Sequence, residues 1–251
     1  MILFCLTVLL LNYNYWLILM IPKILHLCWL SDDPFPPLVE KCVQTWKSIL
    51  HDYEIMLWNR DRFDIASVPW VSEAFSKKKY AFAADYIRFY ALYHYGGIYL
   101  DSDVEVLKSF DPLLSKSFFV GKETNGDIEA AVLGAEQGLG WIKQCLDYYN
   151  DRHFIMPDGR FDMRPVPLLM NEILEKNSIT DVYPSDFFSP KSSTSKKIKL
   201  TRNTYCIHHF DGNWIESSFR AALKAKAHDC LISLFGHNLH SKIVNLIRSL
   251  K

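Results

Sequence analysis

The stretch that most restricts how this chain can fold is the junction at residues 79–103. Lys79–Tyr95 is a long apolar and aromatic run containing Ala81, Ala83 and Ala84, which predicts a helix with one face able to pack closely against a neighbour. Gly96-Gly97 ends it, because glycine accepts the left-handed backbone of a helix C-cap. Ile98–Leu100 then reads as a buried strand and runs directly into Asp101-Ser102-Asp103. Upstream, Ile21–Trp29 is a short apolar run with Pro22 tolerated near its start, hence a second buried strand. Leu38, Cys42, Trp46 and Ile49 fall at helical spacing, so Pro37–Leu50 reads as a helix with proline in its first turn. Tyr53–Trp58 reads as a strand again. Strand, helix, strand in that order predicts a parallel βαβ unit and an α/β domain.

Further along, Phe118–Gly121 and Ala130–Leu133 read as strands, Leu139–Asn150 and Val166–Lys176 as helices, and Tyr205–Phe210 as a strand. Ser189–Asn203 carries Lys191, Lys196, Lys197, Lys199 and Arg202 with no acid, and reads as a mobile loop. Glu216–Lys251 reads as two amphipathic helices divided near Gly236, with six basic residues against two acids. The first 19 residues hold 16 apolar side chains and no charge. Three readings stay open for residues 1–19: an extension upstream of a natural start at Met20, a membrane segment, or a buried helix. About 20 apolar residues suffice to span a bilayer, but a basic n-region and a small-residue cleavage site are missing, so the stretch is a poor signal peptide.

The charges balance, 28 basic against 28 acidic, which argues against a dedicated nucleic-acid binder. The six cysteines include no C-x-x-C pair, so reduced and mostly buried thiols are expected rather than a disulfide framework or zinc site. The chemistry lies in Asp101 and Asp103. Two carboxylates at the end of a buried strand are costly unless a cation neutralises them, and hard ions such as Mn²⁺ or Mg²⁺ prefer oxygen ligands. An isolated D-x-D is common by chance. Here the strand presents the pair at its carboxyl end, where α/β sheets bind ligands. Asp85 and Arg88, three apart on the long helix, share a face. Ala81, Ala84, Phe89 and Leu92 make their surroundings apolar, so the pair is expected in a pocket, where it can hold hydroxyls or a phosphate.

Together, Ala84-Asp85-Tyr86-Ile87-Arg88-Phe89-Tyr90-Ala91-Leu92 and Gly96-Gly97-Ile98-Tyr99-Leu100-Asp101-Ser102-Asp103 resemble the D-x-D glycosyltransferases of family 32. That family includes bacterial capsule and lipopolysaccharide enzymes and the yeast initiating mannosyltransferases, and its core is similar to that of the clostridial glucosylating toxins. The sixteen-position step from Asp85 to Asp101 fits the pattern, as do Ile21–Trp29, the helix with Trp46 and the strand Tyr53–Asn59. The likeness is strong to about Leu114 and thin until Thr204. It implies a GT-A fold, a Rossmann-like nucleotide-sugar-binding sheet flanked by helices, over residues 20–251 with helices at the C-terminal end.

By the same resemblance, Asp103 would ligate the metal and Asp101 would bridge metal and ribose. Asp85 and Arg88 would hold the donor sugar. Trp29 would stack on the nucleobase, with a core role as its alternative, and Tyr99 would lie near the donor or in the core. Within Tyr205–Trp214, a histidine would complete the metal site. His209 fits an H-x-x-G spacing and is preferred; His208 fits by its place after Tyr-x-Ile, and strand alternation lets one of the two face inward. Trp214 is expected near the leaving group, although Gly212 and Asn213 depart from the usual residues before it.

The implied activity is metal-assisted, retaining transfer of a sugar from a UDP- or GDP-sugar to a glycan or lipid-linked acceptor in surface-polysaccharide synthesis. Glu129 and Asp127 are candidates for a nucleophile, but neither is marked by a motif, and front-side attack is favoured. A non-catalytic carbohydrate-binding relative and a nucleotide-sugar hydrolase are the competing readings. The expected location is cytoplasmic, at the inner face of a membrane, with peripheral contact through residues 1–19 or the basic C-terminal helices.

Overall fold

The computed structural model describes residues 21–192 and 195–211. The apolar segment 1–19, Trp214 and the expected C-terminal helices lie outside the described residues.

The expected βαβ unit forms. β1 (Ile24–Cys28) and β2 (Glu54–Trp58) are parallel, with Ile24 opposite Glu54 and Cys28 opposite Trp58. Between them α1 (Pro37–Ile49) begins at a proline, whose missing N–H would have no helical partner there. It buries Val39, Cys42, Val43 and Trp46. The Trp46 indole N–H donates to the carbonyl of Val104 at 2.7 Å, which ties α1 to the segment just after the D-x-D.

A helix not anticipated, α2 (Pro69–Ser76), precedes α3 (Tyr80–Tyr95). α2 has eight residues, too few to display a helical period, yet it buries Trp70, whose indole donates to the Phe82 carbonyl at 2.8 Å. α3 ends at Gly96, with φ +63° and its N–H on the Leu92 carbonyl. Gly97 follows at φ +101°, and a Cβ there would stand 2.6 Å from the Ile24 carbonyl oxygen. The two glycines therefore let the chain turn sharply and pass against β1.

β3 (Gly97–Leu100) lies parallel to β1, and β6 (Ile128–Ala135) and β5 (Phe118–Lys122) complete the sheet in antiparallel sense, in the order β2-β1-β3-β6-β5. A second, two-stranded sheet pairs β4 (Val104–Val106) with β7 (Cys206–His208). The remaining helices are α4 (Gly140–Asp147), α5 (Val166–Lys176) and the single turn α6 (Ser185–Phe188).

Strand alternation divides the core between the two faces of the large sheet. Tyr99 joins Trp58, Trp70, Phe89 and Leu133 on the face covered by α2–α5, while Ile98 and Leu100 join Leu25, Leu27, Trp46, Phe110, Phe119 and Phe188 on the other. The described cysteines Cys28, Cys42, Cys145 and Cys206 are free thiols, as expected. The basic stretch after Ser189 is partly organised, with Lys191 bridging Ile198. No described helix is long and apolar enough to cross a membrane.

Candidate active site at the carboxyl edge of the sheet

Because β1 and β3 are parallel, their carboxyl ends open on the same edge of the sheet, and Trp29 follows directly on β1 as Asp101 does on β3. Asp101 is still held by its neighbour strand, its N–H donating to the Ala131 carbonyl at 2.8 Å. A tight turn then closes from the Val104 N–H to the Asp101 carbonyl at 3.0 Å and delivers the chain into β4. The β4–β7 register sets Val104 opposite His208, which brings a residue from far along the chain beside Asp103. His208 Nε2 lies 3.5 Å from Asp103 Oδ1. One donor atom each from Asp101, Asp103 and His208 lies within 4.8 Å of the others. Asp103 also takes the backbone N–H of Asp211 on its other oxygen at 2.9 Å.

Of the two candidate histidines, the fold brings His208 rather than His209 beside Asp101 and Asp103. His209, one residue past β7, turns its ring the other way, to Glu105 Oε2 at 2.8 Å, and Glu105 is shared with Lys41 at 2.9 Å. Of the two places expected for Tyr99, the structure shows a core position that still touches the site. Tyr99 is 2% exposed and sits beneath the site: its hydroxyl donates to Asp101 Oδ1 at 2.9 Å, and its ring lies 4.7 Å below the Arg88 guanidinium.

Asp85 and Arg88 are brought to the same place and are buried, as their apolar neighbours require. They are 7% and 5% exposed. Arg88 pairs with Asp85 Oδ1 at 2.9 Å, approaches Asp101 Oδ1 at 3.6 Å and donates to the Ala130 carbonyl at 2.6 Å. One guanidinium thus spans α3, the D-x-D and β6, a reach that its planar fork permits and an ammonium would not match.

Burial pushes the Asp85 carboxyl up to about 7, with Arg88 pulling it the other way. Burial likewise raises Asp101 against the pull of Arg88. At His208 burial disfavours the cation, but the carboxylates of Glu129, Asp103 and Asp101 outweigh it and lift the imidazole to about 9. The site is therefore rich in negative charge that a positive group must meet. Two carboxylates and an imidazole converging within 4.8 Å fit a hard divalent cation of the Mn²⁺ or Mg²⁺ type.

Trp29 is half-buried. Its indole N–H donates to the Asp33 carbonyl at 2.9 Å and its ring meets Phe35 edge-on at 5.0 Å, lining a shallow depression with Leu57, Asn59 and Asp61. Glu129, weighed from sequence only as a nucleophile, stands directly behind His208, at 3.3 Å from Nδ1. The signal for it was present: it is the one charged side chain in the eight-residue buried strand β6.

Residues 36–120 match the family described as a glycosyltransferase sugar-binding region containing the DXD motif. Inositol phosphoceramide mannosyltransferase 3 of Schizosaccharomyces pombe is 35% identical over 133 residues, covering 50% of this chain and 36% of that protein. Mannosyl phosphorylinositol ceramide synthase SUR1 of Saccharomyces cerevisiae is 32% identical over 55% of this chain and 37% of its own length. The chain thus spans little more than a third of these curated relatives. A solved structure titled PaToxG Glycosyltransferase aligns with 63% of this chain and 70% of that one, at 15% identity and a TM-score of 0.46. The matched span, residues 36–120, contains Asp85, Arg88, Asp101 and Asp103.

Proposed function

We propose that the protein is a glycosyltransferase that moves a sugar from a nucleotide-sugar donor to a lipid-linked or glycan acceptor, assisted by a divalent cation. The observation that carries this reading is the convergence of Asp101, Asp103 and His208 beside the buried Asp85–Arg88 pair at one sheet edge. Names of the relatives favour a mannosyl donor, and an acceptor with a phosphoinositol head group over a capsular or lipopolysaccharide intermediate. A lipid acceptor would be met at a membrane surface, and we place the enzyme at its cytoplasmic face.

Asp101, Asp103 and His208 would hold the cation, which when bound stabilises charge on the departing diphosphate. Asp85 and Arg88 orient sugar hydroxyls, and Trp29 offers an indole face to the nucleobase. In the transfer the bond from the anomeric carbon to phosphate oxygen breaks and a bond to the acceptor oxygen forms, while the acceptor proton passes to the released phosphate oxygen. Retention by front-side attack suits this site. Glu129 is 1% exposed with one oxygen on the Ala131 N–H at 2.7 Å and the other on His208, so it is poorly placed to attack a sugar.

The test is a panel of UDP- and GDP-sugars with Mn²⁺ or Mg²⁺, with and without inositol phosphoceramide, scored for released nucleoside diphosphate and glycosylated lipid. One donor is expected to turn over, and Asp103→Ala should lower the rate at least about 100-fold. Free sugar released equally with and without acceptor would favour a hydrolase. No turnover of any donor by the folded protein would leave a carbohydrate-binding role.

A further inference from the structure

We propose that Glu129 is the positioning residue for His208, fixing its tautomer and aim so that Nε2 faces Asp101 and Asp103. This rests on the cation reading above but not on which sugar is transferred. Glu129 comes from β6 in the large sheet and His208 from β7 in the small one, so their contact joins two sheets behind the site. The carboxylate is fixed at its own end first: Oε1 accepts the Ala131 N–H at 2.7 Å, leaving Oε2 for His208 Nδ1 at 3.3 Å. A carboxylate that is 1% exposed is costly unless a donor meets it, and the polar hydrogen of Nδ1 does so. When a cation takes the place of the Nε2 proton, the proton that stays on Nδ1 leaves the Nε2 lone pair, 3.5 Å from Asp103 Oδ1, aimed at the ion. Carboxylates behind ligating histidines act in this way, orienting the ring and raising its basicity. Glu129 therefore belongs to the site without touching the reacting atoms.

Glu129→Gln separates this role from simple packing. Glutamine keeps the shape but has one acceptor oxygen for two donors, the Ala131 N–H and His208 Nδ1–H. The measurement is Mn²⁺ affinity of the full chain without donor, from the electron paramagnetic resonance signal of free Mn²⁺. A loss of about 10- to 100-fold is expected in Glu129→Gln, with His208→Ala losing at least as much. In the Mg²⁺-loaded protein, ¹⁵N shifts of His208 should report a proton on Nδ1 in the wild type and a mixture of tautomers in the variant. Unchanged Mn²⁺ affinity in folded Glu129→Gln, with His208→Ala impaired, overturns the proposal. Unchanged affinity in both removes His208 from the cation site and the proposal with it, while the donor panel still decides separately whether transfer occurs. Should Glu129→Gln fail to fold, Glu129→Asp keeps the charge but withdraws it by one methylene. A measurable loss of affinity there supports the role, and wild-type affinity overturns it.

Discussion

Arg88 touches four things at once: the Asp85 and Asp101 carboxylates, the Ala130 carbonyl and the Tyr99 ring. Removing it leaves a buried carboxylate without its cation, a loss of about 3–5 kcal/mol in comparable cases. Arg88→Met should therefore lower the urea midpoint strongly. Arg88→Lys keeps the charge but gives up part of the fork, and should cost about 1–3 kcal/mol. The partner makes a separate, pH-dependent prediction. Burial holds Asp85 at about 7 against an ordinary 3.8, so across that window the folded protein keeps a proton that the unfolded chain has released. The contribution of this group to stability is full below the ordinary value and is lost as pH rises through about 7. Asp85→Asn has no such titration, so its stability relative to wild type should climb between pH 4 and 7 in paired urea melts. A flat difference would mean that Asp85 is ionised throughout.

At the scale of elements, the hand-over from α3 to β3 fixes where the D-x-D points. Gly97→Ala would bring a Cβ to 2.6 Å from the Ile24 carbonyl at φ +101°, and should destabilise by at least about 2 kcal/mol. His26 supports the same junction from β1. Its Nδ1 accepts the Trp58 indole N–H at 3.1 Å, so Nε2 carries the proton and donates to the Gly96 carbonyl at 2.6 Å. Burial lowers its pKa to about 4 from the usual 6.5. The stability it contributes is present above 6.5 and is lost as pH falls toward 4. His26→Leu should flatten that acid limb and cost about 1–3 kcal/mol at pH 7, having left the indole N–H and the Gly96 carbonyl unpaired. These elements were legible from local pattern: helical spacing marks α1, the glycine pair ends α3, and the apolar run before Asp101 marks β3. β4 was not, since Val104-Glu105-Val106 is too short to show a period. The pairing of Val104 with His208 joins segments about a hundred residues apart, and no local signal states that register. For the same reason spacing favoured His209, where the fold brings in His208.

Across the whole molecule, the described residues place the site between the two sheets. Asp101 and Asp103 lie where the chain passes from β3 to β4, and His208 arrives on β7. An ion bound by all three would tie the small sheet to the large one, stabilising the folded state by its binding free energy. At a hundred times its dissociation constant that is about 2.7 kcal/mol, which for a chain of this size is a rise of roughly 5–10 °C in melting temperature. Mn²⁺ should produce that rise in the full-length protein, and a chelator should reverse it. Asp103→Ala should show little response, because one of its two carboxylates is gone. Arg88→Lys should still respond, since Arg88 contacts Asp101 without being a ligand. This pattern separates a cation held at the sheet edge from one attracted loosely to surface acids, which would stabilise all three proteins alike. A shift of equal size in Asp103→Ala would put the ion elsewhere and leave the buried charges of this site to be balanced by Arg88 and His208 alone.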